Sequence, residues 1–214
     1  MNKLNAMMAL LIFFGASLAP VADAKTKGIE LSQDQQQAIE DVNTYFNSFS
    51  TLKGEFTQLG NTGNVSTGVV IISKPGKMRF EYAPPNPFVV VSDGRWVAVL
   101  NRSKNVADQY PLATTPLRLL LAEKMNLLKS AVIKAADIQD GLITLRMEDK
   151  DQMVSGELVL IYDSNLNALR QWIVIDGQGR NTTISLDNLV TDEPADPALF
   201  VVKLDKKKGK SDNN

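Results

Sequence analysis

Val69–Leu100, VVIISKPGKMRFEYAPPNPFVVVSDGRWVAVL, is the stretch whose reading decides the fold. Three apolar runs are separated by Lys-Pro-Gly, Pro-Pro-Asn-Pro and Ser-Asp-Gly. Proline and glycine turn the backbone at those breaks, and the β-branched and aromatic residues between them favour extended chain, so the pattern predicts a meander of antiparallel strands. Within Lys77–Tyr82 the pleat sends Met78, Phe80 and Tyr82 to one face and Lys77, Arg79 and Glu81 to the other. One face is wet and the other apolar, and what the apolar face touches decides the function.

Working outward, Ser32 and Gln35 have capping-box spacing, and Ile39, Val42, Phe46 and Phe49 recur along one stripe, which predicts a helix. Leu52–Leu59 turns extended, and Gly60–Asn64 makes a turn before Val65. Asp93-Gly94 has hairpin chemistry, with Trp96 and Ala98 facing opposite to Arg95, Val97 and Val99, and Val106–Leu112 forms a short strand. Thr115 and Pro116 then read as the start of a second helix, with the leucines of Leu117–Leu128 forming an unusually broad apolar arc. Such a segment is either buried on two sides or covers a cavity. Five further strands follow at Val132–Ile138, Leu142–Met147, Glu157–Tyr162, Leu169–Asp176 and Thr182–Val190, with a last edge strand at Leu199–Val202. Short links between consecutive strands pair them antiparallel, which rules out a doubly wound nucleotide-binding sheet. The expected fold is mainly β: one strongly curved antiparallel sheet of about ten strands, an incomplete barrel, with helices on its concave side or across its mouth as a lid.

Composition narrows the chemistry. The 214 residues carry 23 basic and 24 acidic side chains, a formal net charge of -1, so no general field attracts a nucleic-acid backbone. There is no histidine and no cysteine, which removes the usual general base near neutral pH, the commonest zinc ligands and any thiol nucleophile. Neither Walker-type nor dinucleotide glycine spacing occurs. No cofactor or metal is expected, and no enzymatic activity. The first residues read as an address: Lys3, the apolar run Leu4–Leu18 and Ala22-Asp23-Ala24 predict a signal peptide over 1–24, cleaved to leave Lys25 first. The chain then divides into a single domain over 25–204 and a solvated basic tail over 205–214.

What remains is apolar. Met78, Phe80, Tyr82, Val89, Val91, Trp96, Ala98, Leu158, Leu160, Trp172, Val174 and Ile184 lie on strands, and Leu117, Leu120 and Leu121 on the second helix. They either fill an ordinary core or line a concavity left vacant for aliphatic chains.

Phe56-Thr-Gln58, Lys74-Pro75 followed by Met-Arg-Phe-Glu-Tyr82, Val91-Ser-Asp-Gly94, Thr115-Pro-Leu117 and Asp196-Pro-Ala-Leu-Phe200, in this order along the chain, resemble the outer-membrane lipoprotein carrier (LolA) family. The resemblance implies a periplasmic carrier, working as a monomer, whose cavity takes the acyl chains of lipoproteins. In that family cargo comes from an inner-membrane ATP-driven (ABC-type) releasing complex and passes to an outer-membrane lipoprotein acceptor. It further implies that Lys74 latches the lid, in the place where carriers typically have arginine. A lysine is a point charge without the planar fork of arginine, so a looser closed state is expected. Two other readings share the fold: a periplasmic module that senses lipid or mislocalised lipoprotein, and a carrier of another amphiphile.

Overall fold

The computed structural model describes residues 27–151 and 153–202; the expected signal segment and the basic tail lie outside them. Helix α1, Gln33–Asn47, begins on the capping box: Ser32 Oγ accepts from the Gln35 N–H, and Gln35 Oε1 accepts from the Ser32 N–H at 3.0 Å. Its stripe of Ala38, Ile39, Val42, Tyr45 and Phe46 is buried. The helix stops at Asn47, so Phe49, predicted on the same stripe, is buried from the following turn.

The strands are β1 (Thr51–Leu59), β2 (Val65–Ser73), β3 (Lys77–Tyr82), β4 (Phe88–Asp93), β5 (Trp96–Asn101), β6 (Val106–Pro111), β7 (Ala131–Gln139), β8 (Leu142–Asp149), β9 (Glu157–Asp163), β10 (Ala168–Ile175) and β11 (Asn181–Thr191). They form one sheet of 11 strands in the order β6-β5-β4-β3-β2-β1-β11-β10-β9-β8-β7. Two meanders are thus joined where β1 pairs antiparallel with β11, Phe56 opposite Leu186.

The sheet bends back on itself. Four inter-strand steps separate β3 from β10, about 19 Å on a flat sheet, yet the rings of Phe80 and Trp172 meet edge to face with centroids 5.8 Å apart. Bulges at Lys53/Glu55, Ile133/Ala135 and Leu169/Gln171 add coiling. At Gly68 a Cβ would stand 2.1 Å from the Glu81 carbonyl oxygen and 2.8 Å from the Phe56 ring, so only glycine lets β2 and β3 approach this closely beneath Phe56.

Two expectations are corrected. Leu117–Leu128 is not a continuous helix: a 3-10 turn over Pro116–Arg118 is followed by irregular chain and a single-turn helix α2, Leu127–Ser130. Distant partners take the backbone groups that a helix would pair internally. Asn47 accepts from the Met125 N–H (2.7 Å) and donates to its carbonyl (2.9 Å), Asn43 accepts from the Leu127 N–H (3.0 Å), and the Gly76 N–H donates to the Leu121 carbonyl (2.8 Å). With those groups satisfied, Leu117, Leu119, Leu120, Leu121, Met125 and Leu127 all turn inward. Leu199–Val202 is likewise no edge strand. Pro197–Phe200 makes a 3-10 turn, with the Asp196 carboxylate accepting from the Ala198 N–H at 2.9 Å.

Candidate functional site

The concave face gathers apolar side chains from α1, from the segment after β6 and from both meanders into one cluster. At its centre lies a hollow lined by Gln58, Met78, Phe80, Tyr82, Val90, Leu117, Trp172, Val174, Thr182 and Ile184. Two-residue alternation brings Met78, Phe80 and Tyr82 to this face of β3, and Trp172 and Val174 to the same face of β10. Phe56 stacks edge to face on Phe80 and Tyr82, with centroids 4.7 and 5.1 Å away, so the wall is rigid aromatic surface.

The hollow is nearly full. Its free volume is about 20 Å³, room for about one water, and Leu117 of the segment after β6 stands in its wall. A second cavity of about 140 Å³ is lined wholly by the segment after β6, by Arg118, Leu119, Ala122, Met125, Asn126, Leu127 and Ser130.

Of the residues proposed from sequence, Met78, Phe80, Tyr82, Leu117, Trp172, Val174 and Ile184 meet around the hollow. Leu120, Leu121, Leu158 and Leu160 are buried in the same cluster without lining that space. Four others are misplaced. Phe80 pairs with Val90, and directly opposed residues share a face, so Val89 and Val91 point to the convex side and Val90 replaces them. Ala98 pairs with Val91 and follows it to the convex side, while Trp96, two residues earlier on the same face of β5, is 44 % exposed. On the convex side Val89 and Val91 pack with Phe200 in a separate small cluster.

Sequence reading missed Gln58, Val90 and Thr182 in the lining. Val90 was recoverable from the β3–β4 register, but the Pro-Pro-Asn-Pro link does not announce that register.

Two charged side chains tie down elements packed on the concave face. Lys74 Nζ donates to the Phe46 carbonyl in the last turn of α1 and stands 4.5 Å from the centroid of the Phe49 ring. Burial holds its ammonium below lysine's ordinary pKa, with the nearby Asp192 carboxylate opposing. On the other flank Arg118, next to Leu117, makes a bidentate pair with Asp149 at the end of β8, and the carboxylate raises the guanidinium pKa further. The Asp149 side chain is fully covered, so the pair works at reduced dielectric.

Among the described residues no group of acidic side chains could hold a metal ion, and no helix is long and apolar enough to cross a membrane.

The architecture is an unclosed antiparallel sheet curled round an apolar hollow, with a helix and a leucine-rich segment packed into the same concave cluster. Residues 47–203 match the family model described as outer membrane lipoprotein carrier protein LolA, and the chain belongs to that family. Relatives named outer-membrane lipoprotein carrier protein include one from Dechloromonas aromatica, 27 % identical over 175 residues that cover 75 % of this chain and 80 % of the relative. Another, from Methylococcus capsulatus, is 28 % identical over 166 residues covering 73 % and 79 %. Among solved structures, the LolA superfamily protein NE2245 from Nitrosomonas europaea covers 78 % of this chain and 97 % of its own at 9 % identity, with a TM-score of 0.46.

Proposed function

We propose that the protein is a periplasmic carrier which shields the acyl chains of lipoproteins in its hollow and passes them from an inner-membrane release complex to an outer-membrane acceptor. The observation that carries this reading is an aromatic-walled apolar hollow whose covering elements are tied down by a few polar contacts. Family membership and the names of the relatives support the cargo class.

Free energy makes a carrier necessary. Each methylene left in water costs about 0.8 kcal/mol, so multiply acylated cargo does not cross an aqueous compartment uncovered. The filled hollow has no room for such a chain until Leu117 and its neighbours withdraw. The empty carrier therefore buries its own leucines, and a guest has to displace them. This self-occupancy lowers the net grip and lets the carrier release what it takes up. Direction then comes from outside the chain, from the ATP-using donor and the acceptor.

The test is native purification from the periplasm followed by mass spectrometry of whatever co-purifies. Acylated proteins in stoichiometric amount are the expected outcome. Recovery of free lipid alone would replace lipoprotein with another amphiphile as cargo, and a stable protein complex without lipid would favour a sensing module.

A further inference from the structure

The hollow is not uniformly apolar. Besides Trp172, whose indole carries one N–H, three of its lining residues, Gln58, Tyr82 and Thr182, carry polar side-chain groups, and they lie on β1, β3 and β11 toward one end of the sheet. That end is marked by register. Gln58 pairs with Ser66 and Ile184 at the start of β2 and β11, and Thr182 lies two residues before Ile184. Lys74 and the end of β2 are at the opposite end, where Ser73 pairs with Lys77.

The Gln58 side chain belongs to a residue that is only 8 % exposed. The Tyr82 hydroxyl donates to its Oε1, a bond buried inside the wall, and burial pushes the Tyr82 phenol pKa up, so the hydroxyl keeps its proton. That bond fixes the carboxamide with its oxygen engaged. Gln58 Nε2 meets no acceptor among the described residues, yet it is not walled off by neighbouring atoms. A carboxamide nitrogen offers two N–H donors, and in the guest-free hollow Nε2 stays open to a water-sized probe, so it carries no burial cost there. An apolar guest would cover those donors without giving them a partner, which costs free energy, whereas a guest with a carbonyl at the right depth would accept from them.

Resting on the carrier reading, we infer that Gln58, oriented by Tyr82, is a subsite for the ester or amide carbonyl of an acyl chain. The carbonyl accepts from Gln58 Nε2, and the hydrocarbon then runs past Phe80 toward Met78 and the Lys74 end. This orients the guest: its polar head leaves at the Gln58 end, and the latched end receives the chain terminus. The ligand class is an acyl ester or acyl amide as distinct from a bare alkyl chain or an alkyl ether. Tyr82 is a positioning residue here and Gln58 the contacting one.

The test compares ester and ether probes of equal chain length, measured by displacement of a fluorescent fatty-acid probe from the full-length protein. Two pairs are used, a diacyl- against a dialkyl-glyceryl cysteine peptide, and diacyl against dialkyl phosphatidylglycerol. The wild type is expected to prefer the ester by about 3- to 10-fold, the range of one neutral hydrogen bond. A preference in either pair supports the subsite and tells whether lipoprotein or phospholipid supplies the ester. Gln58→Leu should bring the ester-to-ether ratio close to one, and Tyr82→Phe, which frees the carboxamide to turn, should lower it partway. Equal binding of ester and ether by the wild type would overturn the subsite alone. Binding of neither would overturn the acyl-cavity reading and the subsite with it. The wild-type ratio decides even where a variant does not fold.

Discussion

The same two strands, β4 and β5, have apolar faces on both sides of the sheet, and the two faces are closed in opposite ways. On the convex side Val89 and Val91 are sealed by Phe200, which is 2 % exposed, while Arg79 fastens the strap by donating to the Leu199 carbonyl at 3.0 Å. On the concave side Val90 and Val97 face a cluster closed by α1 and the leucine-rich segment. Those covering elements are held by Lys74 on the Phe46 carbonyl, by the two asparagines of α1 and by the Arg118–Asp149 pair. A plug of one aromatic ring is a permanent part of the core. The concave cover, packed into the main cluster and tied at these polar points, is the part that the carrier reading requires a guest to displace.

Four measurements would break or sharpen that contrast. The largest effect is expected from Phe80→Glu, which sets a carboxylate into the concave wall and should abolish uptake of a fluorescent acyl probe. Circular dichroism should still report the sheet, and uptake surviving in a folded variant would remove Phe80 from the binding surface. Next, Phe200→Ala should cost about 3–4 kcal/mol of stability in urea unfolding while leaving probe affinity as it was. A parallel loss of binding would mean that the two faces are not independent.

Asp149→Asn should weaken the hold on the closing segment by about 2 kcal/mol, less than the ~3–5 kcal/mol of a wholly buried pair. The discount reflects Arg118, whose side chain is 32 % exposed. Stopped-flow mixing with the probe should show faster uptake, and an unchanged rate would place the rate-limiting opening elsewhere. Smallest of all, Lys74→Arg should tighten the tie to α1 by about 1 kcal/mol. Transfer of cargo to an acceptor would then slow by several-fold, and an unaltered transfer rate would count against a latch at this position.

How far this could be read from the residues depended on whether the signal was local. β3 shows strict alternation, KMRFEY, so its faces were legible. Phe88–Val91 is a continuous apolar run with no phase of its own; only pairing with β3 tells that Val90 looks inward, and that pairing is set by a proline-rich link. The leucines after Pro116 showed burial correctly but not conformation. The groups that unwind the expected helix, Asn43 and Asn47, stand about eighty residues earlier in the chain, beyond the reach of any periodicity argument. Arg118 and Asp149 were invisible for the same reason. Lys74 is singled out only by family resemblance, and the structure shows its Nζ donating to the Phe46 carbonyl. Gln58 sat within a motif already noted, Phe56-Thr-Gln58, but nothing in that motif tells that its amide lies against Tyr82.

Because β6 and β7 end the strand order without pairing to each other, the sheet has a seam. A closed barrel has its girth fixed by strand number and stagger. Here the circumference can widen at the seam with every inter-strand ladder intact, so swelling to admit a bulky tail would break no backbone pairing.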